Sequence, residues 1–141
     1  MGKLLKELSF ISGSWSGEGF VVDFTEPVYS MVFGSIQAAT PQGVVVHWET
    51  FRFEEKDQNV FLYPAQMGRE SGTYLLNKSP ELERFVFEPF ISTQIPIKEI
   101  YFQKVNEELI FGIKGEMDNQ SFDKEWQLKK RATLTEDVSI G

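Results

Sequence analysis

The chain has 141 residues, of which 41% are hydrophobic and 13 are phenylalanine, and its formal charge is −7. That suffices for one globular domain with a sizeable core and is too apolar for a disordered chain. The acidic balance excludes a nucleic-acid footprint and argues against docking on anionic lipid; the lack of cysteine excludes disulfides, thiol nucleophiles and thiolate metal or iron–sulfur sites. No apolar run approaches the ~20 residues of a membrane-spanning helix. Glu7 interrupts the stretch where a signal peptide would stay apolar. A cytoplasmic protein is expected, or an exported one already freed of its leader.

Leu4, Leu5, Leu8 and Ile11 recur at helical spacing, with Lys3, Lys6 and Glu7 opposite them. The spacing predicts a short helix over 3–11 that must pack on something, since two turns are marginal alone. The stretch Gly13, Ser14, Trp15, Ser16, Gly17, Glu18, Gly19 follows, and from Ser14 the pattern changes to period two. Strands are predicted over 14–24, 28–38, 43–55, 59–63, 73–78, 83–87, 97–104, 108–116 and 121–134, separated by turn residues such as those of 40–43, 56–59, 79–81 and 118–120. Many strands without an alternating helix imply an all-β, antiparallel up-and-down barrel of roughly eight to ten strands, capped by the helix. One domain covers 1–141, with the barrel over 14–134 and Trp15 as its floor. Such an interior has room for side chains or for one small ligand.

His47 is the only histidine. On its strand, alternation puts Val45, His47, Glu49, Phe51 and Phe53 on one face and Val44, Val46, Trp48, Thr50 and Arg52 on the other. If Phe51 and Phe53 face inward, His47 and Glu49 are polar groups inside an apolar barrel, roughly 7 Å apart along the strand. If the faces are reversed, both are solvated and Trp48 is core. Tyr29, Met31 and Phe33 alternate along one strand, Leu109, Phe111 and Ile113 along another, and Phe122, Trp126 and Leu128 share a face of the last. These are core stripes first and cavity walls second. The irregular stretch 89–96 carries Phe90, Ile91 and Ile95, which suit a lid or a dimer contact. The acidic tips at Glu54, Glu55 and Asp57 read as solvated turns.

Glycine, any residue, tryptophan, any residue, glycine, any residue, glycine, met here at Gly13, Trp15, Gly17 and Gly19, resembles the opening motif of nitrobindin-like calycins, a superfamily that includes lipocalins and fatty-acid-binding proteins. Met31 to Gly34, Trp48 to Glu55, the Phe87–Glu88 pair, Ile100–Tyr101 and Glu125–Trp126 resemble a bacterial group of small lipocalin-like domains. The resemblance implies a calycin barrel in which a basic residue of the final strand, Lys130 or Arg131, stacks on Trp15. Nitrobindin-like proteins hold haem through a late histidine, and none follows His47 here, which speaks against haem and leaves no cofactor or metal expected. The bacterial group carries an acid and a histidine after its Phe–Glu pair; Pro89 to Pro96 contains neither.

The expected function is binding of a small apolar or amphipathic molecule, with His47, Glu49, Phe51, Tyr29 and Gln66 around it. Two alternatives are a barrel enzyme using His47 as base and Glu49 as its orienter, and a filled barrel that binds a protein partner through an edge or through 89–96. The chain is expected to be a monomer or homodimer.

Overall fold

The computed structural model describes residues 3–79, 84–91 and 95–131. Expected strand residues 83 and 132–134 lie outside them, as does part of the stretch 89–96. The helix α1 (Lys3–Glu7) tightens into a 3₁₀ turn (Leu8–Ile11). Eleven strands follow: β1 (Gly13–Gly17), β2 (Phe20–Phe24), β3 (Met31–Ala39), β4 (Val45–Lys56), β5 (Asn59–Gln66), the two-residue β6 (Arg69–Glu70), β7 (Tyr74–Ser79), β8 (Arg84–Pro89), β9 (Ile97–Val105), β10 (Glu108–Met117) and β11 (Gln120–Lys130). Each pairs antiparallel with its neighbours in chain order, except that β6 hangs on β5 alone, and β1 pairs with β11. The result is a closed ten-strand antiparallel barrel, in which every barrel strand has a partner on both sides.

One predicted strand is two. The segment 14–24 folds back at Glu18 and Gly19, where Gly17 pairs with Phe20 and Gly19 takes φ +83°, a conformation that favours glycine. Two further hairpins turn on pairs with positive φ at both central residues, Asp57–Gln58 and Asp118–Asn119, which matches the twist of the strands they join.

The helix closes one end. Leu5, Leu8 and Ile11 are completely buried. The Leu5 amide, one of the donors a helix start leaves unpaired, donates to Glu55 Oε1 at 2.7 Å, so a β4 carboxylate anchors a helix too short to hold itself. Trp15 lies beneath this plug, its indole Nε1 donating to the Ile11 carbonyl at 2.8 Å. Lys130 is its partner across the β1–β11 pair and therefore shares its face; the ammonium sits 4.6 Å from the indole centroid and donates to the Ser12 carbonyl. The cation on Trp15 is thus Lys130, and the expectation for Arg131 is corrected: one residue further on, its side chain bonds the Ser14 hydroxyl instead.

The half of the barrel next to the helix is filled with rings. Phe102 lies within 5.3–6.3 Å, centroid to centroid, of Phe24, Phe51, Phe53, Phe87 and Phe111. Most of these contacts are edge to face, the arrangement aromatic quadrupoles prefer.

Two tyrosines are built into the wall. Tyr101 lies over Gly112, its register partner on β10, in space that any larger residue would occupy. Its hydroxyl donates to Glu125 Oε2 at 2.7 Å and Arg84 caps its ring at 4.1 Å. Tyr74 is buried and donates to the Ile97 carbonyl at 2.9 Å. Burial pushes both phenols up to about 12, and for Tyr101 the Glu125 carboxylate adds to the effect. Because the folded state holds these protons above the ordinary value of 10.0, the stability they supply is complete below pH 10 and is lost as the pH climbs toward about 12. Tyrosinate absorbance during an alkaline titration should therefore show a late phase that coincides with unfolding. Tyr101→Phe should shrink that phase; a single midpoint near 10 for every tyrosine would contradict it.

Candidate functional site

The open end is the one away from the helix, and its geometry follows from register. On β4 Phe51 and Phe53 are buried, which fixes their face, shared with His47 and Glu49, as the inward one. Neighbouring strands then contribute in layers. Nearest the mouth, Phe20, Ala38 and His47 lie side by side across β2, β3 and β4. Below them come Val22, Ile36, Glu49 and Gln66, then Phe24, Gly34, Phe51 and Pro64. The small Ala38 between Phe20 and His47 leaves a gap in the upper layer. Below it, the Phe24 ring occupies the place of the missing Gly34 side chain and closes the interior.

Between these layers is a hollow of about 260 Å³ lined by Phe20, Ile36, Ala38, His47, Glu49, Phe111 and Trp126. Trp126 stacks on Phe111 at 5.3 Å and 19°, and Phe20 meets Trp126 edge-on at 6.2 Å. These rings form an aromatic wall opposite the polar pair. A smaller compartment of about 70 Å³ shares Glu49, Phe111 and Trp126 and runs toward Gln66, Ser71 and Tyr74. The barrel is therefore solid at one end and hollow at the other.

His47 Nε2 lies 2.8 Å from Glu49 Oε1, so the two side chains, one turn of the pleat apart, meet directly. The side chain of His47 is 41% exposed and that of Glu49 20%, which puts the pair at the boundary between water and the hollow. A carboxylate only accepts, so Nε2 is the donor, and in the neutral ring Nδ1 is left as an acceptor.

The other expected site residues divide. Phe51 and Gln66 line the smaller compartment, with Gln66 exposed at its outer end. Tyr29 does not belong to the site. It occupies a turn before β3 with φ 55° and is 86% exposed. The predicted stripe of Tyr29, Met31 and Phe33 is corrected with it: the inward face of β3 is Val32, Gly34, Ile36 and Ala38, and Phe33 is exposed. Glycine and alanine on that face hide its alternation from a hydrophobicity pattern. For the same reason Ile36 and Ala38 escape sequence reasoning, and Phe20 escapes it because the hairpin at Glu18 and Gly19 moves the inward face from odd to even residues; Phe111 and Trp126 do not escape it. In the stretch 89–96, Phe90 rests on Phe61 at 5.3 Å, and Ile95 packs against the core.

Among the described residues no group of three or more His, Cys, Asp or Glu could hold a metal ion, and no helix is long and apolar enough to cross a membrane. No protein-family model and no curated protein matches the chain.

Proposed function

We propose that the chain is a calycin-type binding module that holds one small apolar or amphipathic molecule in the open half of its barrel. The observation that carries this reading is the hollow of about 260 Å³, walled by Phe20, Ile36, Phe111 and Trp126 and edged by a single hydrogen-bonded polar pair. A mostly apolar concavity with a few convergent polar groups is the usual form of a small-molecule site. A closed barrel, a capping helix and a lysine stacked on the motif tryptophan support the calycin resemblance. The lack of cysteine supports a reducing setting such as the cytoplasm.

The experiment is a fluorescence titration with 9-anthracenemethanol, a neutral tricyclic that is mostly apolar, with stoichiometry read by native mass spectrometry. Saturable one-to-one binding is the expected result. Absence of saturation up to the solubility limit of the probe would overturn the reading.

A further inference from the structure

The charge around the hollow bears on what it holds. Among the described residues lining its two compartments Glu49 is the only one charged at pH 7, counting histidine as neutral; neither lysine nor arginine is among them. A carboxylate or phosphate head taken into an apolar site needs such a cation, ideally a bidentate arginine. The polar corner offers the reverse. Glu49 Oε1 is engaged by His47, and Oε2 has no hydrogen-bond partner among the described residues. In the neutral ring His47 Nδ1, its other nitrogen committed to the carboxylate, is an acceptor as well. Two neighbouring acceptors call for a donor, and a positively charged N–H donor also gains the charge of Glu49. The Phe111–Trp126 wall favours the same partner, since aromatic faces attract cations. The net charge of −7 works against anion binding to the molecule in general.

We propose that the hollow selects a protonated amine carried on an apolar or aromatic body, and discriminates against carboxylates such as fatty acids. This rests on the binding reading above and narrows it to one charge class. The ammonium would sit against Glu49 and the body against Phe111 and Trp126.

Three anthracenes that differ at one substituent separate the possibilities: 9-(aminomethyl)anthracene as cation, 9-anthracenemethanol as neutral reference and 9-anthracenecarboxylate as anion. Titration of the intact chain at pH 7 and low salt should rank them cation, neutral, anion, with roughly tenfold between cation and neutral for one ion pair at a partly exposed site. Glu49→Gln should collapse the cation-to-neutral ratio toward one. Anion binding equal to or tighter than cation binding would overturn the charge assignment and leave the binding reading standing; so would an unchanged ratio in a folded Glu49→Gln chain. Failure of all three to bind would overturn both. The ranking in the unsubstituted chain is sufficient by itself if the variant does not fold.

Discussion

Phe102→Ala is expected to cost about 3–5 kcal/mol, the range for deleting a fully buried ring from a core that cannot collapse around the gap. Phe102 is 1% exposed and its ring touches five other phenylalanines drawn from β2, β4, β8 and β10. Those neighbours belong to strands held at fixed spacing by the closed sheet, so they have little freedom to move inward and fill the space. Against a typical stability of about 5–15 kcal/mol the loss is a large share of the whole, and the melting temperature should fall by about 10–20 °C. Urea unfolding monitored by circular dichroism checks this. A cost below about 1 kcal/mol would mean that the aromatic cluster is not the principal support of the fold.

Ala38→Trp should abolish probe binding with little effect on stability. In a filled core, an insertion of this size costs typically 1–3 kcal/mol or more through displaced neighbours. Here the added indole enters the hollow of about 260 Å³ between Phe20 and His47, so the expected stability change is within about 1 kcal/mol. The same indole takes the volume a ligand would use, and the affinity for 9-anthracenemethanol should fall at least about tenfold, equivalent to 1.4 kcal/mol. Gln37→Trp, one residue earlier on the exposed face of β3, is the control and should bind the probe as the unsubstituted chain does. Equal binding by both variants would locate the probe elsewhere on the molecule.

The barrel was legible because its signals are local. Period-two alternation, turn residues at the tips and a single amphipathic segment near Leu5, Leu8 and Ile11 depend only on neighbours in the chain. The inward face of β4 was not legible in this way, since alternation left both faces open; the burial of Phe51 and Phe53 decides it. The site was legible in part. His47 and Glu49 stand out as polar residues on a phenylalanine face, whereas the pocket opposite them depends on what is absent. Gly34 and Ala38 carry too little side chain to mark a face, so the half-buried Met31 and the exposed Phe33 mimic a core stripe, and Tyr29 is drawn in with them. The hairpin at Glu18 and Gly19 was hidden for a related reason, since Gly17 and Gly19 were already accounted for by the tryptophan motif. The cation on Trp15 needed the β1–β11 register, a pairing between opposite ends of the described chain that alternation within one strand cannot reveal.

Methyl resonances offer the most direct test of where a ligand sits. In a ¹³C-labelled sample, saturating 9-anthracenemethanol should shift the methyls of Ala38 and Ile36, which line the hollow, by the ring current of the bound tricycle. The exposed Val46 and Met67 methyls should stay in place. Shifts confined to Val46 and Met67, with Ala38 and Ile36 unmoved, would contradict an occupied interior.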